Sequence, residues 1–126
     1  MANPTRNQIV WVDIPVIDLD RAIDFYSAVL GDKVERADAG GVEIGILPHA
    51  DNSASGCLYV SEDYPPTTHG PLIYLNVDGR IDDAELAADR HGGRMIEPRA
   101  QIGEHGWRVI FIDPEGNRIA LHSQTA

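Results

Sequence analysis

Few residues in this chain have side chains suited to chemistry, and their spacing is loose. Five histidines (His49, His69, His91, His105 and His122) and one cysteine (Cys57) are the obvious ligands or nucleophiles. His49, His69 and His91 fall in loop-like stretches or at a helix end, without the spacing that would bring them onto one metal ion. A lone cysteine excludes an intrachain disulfide and cannot make a thiolate zinc site by itself. Cys57 also has no basic neighbour or helix start beside it to lower its pKa, so it reads as buried packing. The more suggestive stretch is "IVWVDI", residues 9–14. Strand alternation puts Ile9, Trp11 and Asp13 on one face and Val10, Val12 and Ile14 on the other. A face carrying an indole and a carboxylate can stack a flat ligand and hold or move a proton. His122, near the chain end, is the second candidate base, since histidine titrates near neutrality. As a residue of a terminal strand it can equally belong to a surface or an interface.

The elements that must position these groups read clearly. Residues 8–14 alternate as a strand. Asp18 then stands at an N-cap position, with Ala22, Phe25, Tyr26 and Val29 following at helical spacing and Gly31 as a left-handed stop. Strands are expected near 33–37, 42–47 and 56–60, separated by "ADAGG" and "PHADNSAS". The polar, proline-bearing "SEDYPPTTHG" (61–70) reads as a linker. The pattern then restarts. A strand is expected over 71–77 and a helix from Asp82 to His91, with Asp82 and Glu85 spaced as a capping-box variant and Gly92 as the stop. Strands near 94–99, 105–112 and 117–123 complete it, the last two joined by a type I turn in "DPEGN". Val16 and Val77 stand 61 apart, as do Gly31 and Gly92, and this offset lays Trp11 on Leu72, Phe25 on Leu86 and Val34 on Met95. The expectation is an α+β fold: two tandem βαβββ modules (8–60 and 71–123) in a single domain, with a cup-shaped mixed sheet and the helices on its outer face.

Composition narrows the function classes. The chain has 126 residues with 10 basic against 20 acidic side chains, a formal charge of −10. Nucleic acid and anionic membrane are therefore poor partners, since phosphate binding needs clustered Lys and Arg. No apolar run approaches a membrane span, and the opening MANPTRNQ lacks a secretory layout, so cytoplasm is the expected location.

"IPVIDLDRAIDFYSAVLG" followed late in the chain by "FIDPEGNRIALHS" resembles the vicinal oxygen chelate superfamily, which includes glyoxalase I, extradiol dioxygenases, and fosfomycin and bleomycin resistance proteins. The resemblance covers about residues 8–123, and both motifs mark the fold more than the activity. It implies that paired modules form a cup. In the metal-dependent members, four strands each supply one ligand to a divalent ion that chelates two neighbouring substrate oxygens. By the family pattern those places here are Trp11, Leu72, Ala120 and one within "CLY" (57–59). Three of these four offer no metal-binding atom. The resemblance therefore implies a cup with no metal and no other cofactor.

With a cup implied, alternation assigns its lining: Trp11 and Asp13, then Leu72, Tyr74 and Asn76, then Arg118, Ala120 and His122, with Trp107 on a rim formed by "GEHGWRV". Trp11 and Tyr74 would stack on ligand, while Asp13, Asn76, Arg118 and His122 would orient it. The bland alternatives are that Trp11 fills the space of the missing chelate and that Tyr74 and Asn76 satisfy one another or nearby backbone. Three functional readings follow. One is a metal-free protein binding a small planar or hydrophobic molecule. Another is a glyoxalase-type lyase or dioxygenase with displaced ligands such as His122 and Glu43 plus residues of a second subunit. The third is a metal-free isomerase or lyase using Asp13 or His122. The resemblance also implies a homodimer, its modules side by side or exchanged between subunits.

Overall fold

The computed structural model describes residues 7–126; the first six residues of the MANPTRNQ segment lie outside them. Ten elements follow in order: β1 (Trp11–Val16), α1 (Leu19–Leu30), β2 (Glu35–Ala39), β3 (Val42–Ile46), β4 (Ser55–Val60), β5 (Ile73–Asn76), α2 (Ile81–Arg90), β6 (Arg94–Gln101), β7 (Trp107–Ile112) and β8 (Arg118–Ser123). The strands make two four-stranded mixed sheets with the same plan, β1-β4-β3-β2 and β5-β8-β7-β6. In each the first strand runs parallel to the fourth and the remaining pairs are antiparallel. This is the expected pair of βαβββ modules. The repeated strand order is independent support for a duplicated unit. Among the described residues no helix is long and apolar enough to cross a membrane.

β1 begins at Trp11 because its ladder partner β4 begins at Ser55, so Ile9 and Val10 have nothing to pair with and are exposed. The strand runs on through Pro15, which an edge position tolerates because the missing N–H would face away from the ladder. Pro98 sits likewise on the edge strand β6, inside the register shift between Glu97 and Ala100.

One core serves both modules. Ile14 and Val16 of β1, Leu75 and Val77 of the β5 region, and Val109, Phe111, Ile119 and Leu121 of β7 and β8 face the two helices. From α1 come Ala22, Phe25, Tyr26 and Val29, all fully buried. The Phe25 and Tyr26 rings meet edge to face at 4.9 Å. Truncating either would cost about 3–5 kcal/mol. α2 answers with small residues, Ala84 and Ala88, and with Gly93 just beyond it. A Cβ on Gly93 would stand 2.9 Å from Phe25 Cε1, so the aromatic pair of α1 occupies room that α2 leaves.

Two details correct the sequence reading. The 61-residue offset fails inside the helices. Phe25 is buried, whereas Leu86 is 48% exposed. Buried positions instead match at 62, Ala22 with Ala84 and Tyr26 with Ala88, because the turn into α2 carries one extra residue around Gly79, which takes φ +74. Asp82 is also not a cap. α2 starts at Ile81, Arg80 at its N-cap makes no side-chain cap bond, and both Asp82 and Glu85 bind Arg99 of β6.

The modules are joined by the two motifs noted above. Glu115 of the "DPEGN" turn accepts from the backbone N–H of Ile17 (2.8 Å) and Asp18 (2.7 Å), and pairs with Arg21 Nε at 2.6 Å. Beside it, Tyr26 OH donates to Asp113 Oδ2 and Asn117 Nδ2 donates to the Pro15 carbonyl at 2.8 Å. Asp113 Oδ1 accepts in turn from the backbone of Glu115, Gly116 and Asn117, which shapes the turn. Asp18 caps α1 as expected, accepting from Arg21 N. The hairpin of one module thus grips the start of the other module's helix.

Candidate functional site

The faces of the two sheets away from the helices carry the site. β1 and β5 are the edge strands at the seam between the sheets, and a cavity of about 550 Å³ lies there. Trp11, Asp13, Leu72, Tyr74 and Arg118 line it, closed on one side by Thr67, Gly70 and Pro71 at the end of the linker. A smaller cavity of about 350 Å³ continues from Trp11 and Asp13 across Val42, Ile44, Cys57 and Tyr59. Trp11 and Asp13 form the common wall. A further hollow of about 510 Å³, at the end of the seam near Leu30, Leu47 and His49, has no arginine in its lining.

Trp11 and Tyr74 are 43% and 44% exposed, so two large aromatic surfaces face the open side rather than the core. The Trp11 indole Nε1 donates to Asp13 Oδ1 at 3.0 Å, and Cys57 Sγ donates to the same oxygen at 3.4 Å. Burial pushes the Cys57 thiol above its ordinary pKa, and the adjacent Asp13 carboxylate adds to the shift. Cys57 is therefore a protonated donor to Asp13. In the second module Arg108 Nη1 donates to Tyr74 OH, with the guanidinium 5.8 Å from the ring centroid. His122 meets the Tyr74 ring edge-on at 6.2 Å, and its Nε2 lies 2.5 Å from the His105 carbonyl. Arg118 donates Nη2 to the Gly70 carbonyl at 3.3 Å, while its Nε is buried without a partner.

The expected lining is therefore brought together in part. Trp11, Asp13, Leu72, Tyr74 and Arg118 surround one cavity. Asn76 lies on the same face, but its Oδ1 accepts from the backbone N–H of Asp78 at 2.9 Å. Trp107 is placed elsewhere. It packs against the core with Val109 and Phe111, and the residue of that strand facing Tyr74 is Arg108, opposite His122 in the ladder. The strand begins at 107 rather than 105, and the facing of "WRVIFI" is set by its pairing with β8. Pairing Arg108 with His122 across a two-residue alternation was the signal that would have found it. Glu43 also points away from the cup. It binds Arg36, which binds Asp20 of α1, so all three lie on the helical side. Glu43 cannot join His122 as a displaced ligand within this chain.

The fold has close relatives. The family model described as Glyoxalase/Bleomycin resistance protein/Dioxygenase superfamily matches residues 8–121. The chain belongs to this superfamily. A glyoxylase-like domain-containing protein of Didymella fabae is 28% identical over 122 residues, covering 92% of this chain and 93% of that protein. A relative from Mycobacterium tuberculosis is 27% identical over 112 residues, and the chain spans 41% of its length. Among solved structures, a glyoxalase/bleomycin resistance protein from Albidiferax ferrireducens superposes with TM-score 0.77 at 18% identity, over 93% of this chain and 98% of that one. A superfamily member from Sphaerobacter thermophilus gives 0.65 at 22%, over 94% and 98%. At these identities the two structures speak for the fold alone.

Metal-dependent members of the glyoxalase superfamily place their ligands on the cup face, and the structure shows what stands there. Trp11 and Leu72 line the seam cavity, and Ala120 is fully buried between Tyr74 and Ile110 in the ladder. None carries an oxygen, sulfur or imidazole donor. Cys57 is beside Asp13, but those two are the whole local set, and no group of three or more His, Cys, Asp or Glu side chains able to hold a metal ion occurs among the described residues. The residues present do not fit the divalent site of the metal-dependent members.

Proposed function

We propose that this superfamily member binds a small planar or hydrophobic molecule in the seam cavity without a metal ion. The observation that carries the reading is the identity of the residues at the chelating places: an indole, an isobutyl and a methyl group replace three ligands. The same substitutions turn the floor of the cup apolar and leave Trp11 and Tyr74 as flat surfaces for stacking. Metal analysis of purified protein, with melting temperatures in added nickel, zinc, manganese and ferrous iron, tests it. The expected result is metal well below one equivalent and no stabilisation by any of the four. Stoichiometric metal, or a large rise in melting temperature with one of them, overturns it.

A second reading has one observation in its favour. Asp13 lines the cavity, and among the described residues its Oδ2 has no hydrogen-bond partner, unlike Oδ1. An open carboxylate oxygen in an apolar cavity is suited to proton abstraction in a metal-free isomerase or lyase. That reading requires Asp13→Asn to abolish turnover of an identified substrate while sparing its binding. The proposal includes a homodimer, for which the exposed Ile9 and Val10 before β1 offer apolar surface. Light scattering at known concentration, giving twice the 13.8 kDa chain mass, is the result expected.

A further inference from the structure

We infer that the ligand of the seam cavity is an anion, a carboxylate on a flat apolar body, held by Arg118 and stacked between Trp11 and Tyr74. This rests on the binding reading above and names its ligand class. The first argument is a contrast between the two sides of the sheets. On the helical side, Arg21, Arg36 and Arg99 are each paired with a carboxylate (Glu115, then Asp20 and Glu43, then Asp82 and Glu85), and Arg80 donates to the Val29 carbonyl. On the cup side, Arg108 and Arg118 pair with no carboxylate among the described residues, in a chain with 20 acidic side chains. Half-buried cations without a counter-charge are costly in an apolar setting, so this arrangement suits a charge that arrives from outside.

The hydrogen-bond pattern points the same way. Arg118 has five N–H donors. Its one side-chain hydrogen bond among the described residues is the 3.3 Å contact to Gly70, and its Nε is buried with no acceptor. The carboxylate that shares the cavity, Asp13, accepts from Trp11 and Cys57 through Oδ1 alone, and neither of its oxygens pairs with Arg118. Tyr74 OH receives its hydrogen bond from Arg108, which leaves its own hydrogen free to donate. Every unmet polar demand from Arg118 and Tyr74 is for an acceptor. A carboxylate in the cavity can accept from Tyr74 OH and from the Arg118 Nη groups, while Nε stays buried. The charge of −10 opposes anions little at a distance, because beyond about 8 Å it is largely screened at physiological salt.

Calorimetric titration with naphthalene-2-carboxylate and naphthalene-2-carboxamide tests this, because the two differ in charge but hardly in shape. At neutral pH the wild-type protein should bind the carboxylate at least ten-fold more tightly than the amide. Arg118→Gln should bring the two within about two-fold by weakening only the carboxylate, and Arg118→Lys should keep part of the preference. Equal affinity in the wild-type protein overturns the anion inference and leaves the binding reading standing. A preference that survives Arg118→Gln overturns the assignment to Arg118. Failure to bind either compound overturns the binding reading and this inference with it. The wild-type comparison decides the charge question even if a variant folds poorly.

Discussion

Replacing Glu115 by alanine should loosen the junction on which the seam cavity depends. The Glu115 side chain is fully buried and accepts from two backbone N–H groups, Ile17 and Asp18, at 2.8 and 2.7 Å. Hydrogen bonds to a charged group are worth about 1.5–3 kcal/mol each, and the donors left behind have no replacement acceptor in the protein. Arg21 adds little, because its side chain is 47% exposed and water takes over its solvation, so that pair is worth about 0.5 kcal/mol. The loss for Glu115→Ala is then about 3.5–6.5 kcal/mol, or about 10–25 °C in melting temperature for a chain of this size. Arg21→Ala should cost about 0.5 kcal/mol. Urea unfolding followed by circular dichroism measures both. Equal losses for the two variants would place the energy in the ion pair and refute the reasoning, as would a Glu115→Ala loss under about 1 kcal/mol. The carboxyl carries a pH signature as well. Burial pushes its pKa up, but the bonds from Arg21, Asp18 and Ile17 together outweigh this and leave it below its ordinary 4.5. Its contribution is therefore complete above pH 4.5 and lost as the pH falls through the lowered value. Glu115→Gln should flatten the wild-type stability curve in that acid range.

Three further outcomes follow from named contacts. Cys57 should react with a disulfide reagent at pH 8 at least about ten-fold more slowly in the native protein than in urea, and Asp13→Asn should speed the native reaction by removing the adjacent carboxylate. Tyr26 is fully buried and its pKa is raised well above 10, by burial first and then by Asp113. Spectroscopic titration should therefore show Tyr26 silent until the protein unfolds, with stability constant below pH 10 and falling above it. Tyr26→Phe should cost about 1–2 kcal/mol in urea unfolding, because Asp113 Oδ2 then keeps only its 3.2 Å bond from Asn117. Gly56→Ala should destabilise by about 2–3 kcal/mol by the same assay, since the new Cβ would lie 2.5 Å from the Val12 carbonyl in the β1–β4 ladder and backbone must move.

Much of the frame is legible in sequence because it rests on local rules. Alternation placed Trp11 and Asp13 opposite Ile14, and Asp18 and Gly31 marked the ends of α1 by the chemistry of capping. What escaped depends on pairing at a distance. Trp107 reads as rim in sequence but packs on the core, because facing is a property of the ladder and the start of β7 is set by β8. The helix register slipped by one because an inserted residue near Gly79 is invisible in a comparison anchored on the two stops, Gly31 and Gly92. The role of Glu115 could not be read from its neighbours either. The turn "DPEGN" is local, but the N–H groups it serves lie 97 and 98 residues away. Cys57 and Asp13 are likewise brought together only by the parallel register of β1 and β4.

The two helix starts are held unequally, and this sets where the molecule opens first. α1 begins on a capped turn gripped by Glu115, whereas α2 begins at Arg80 with no side-chain cap bond. In local fluctuations the first turn of α2 should fray at a lower free energy, and its amides should exchange with solvent before those at the start of α1. That opening lies on the far side of the second sheet from Tyr74 and Arg118. The protein can breathe there without disturbing the ligand face.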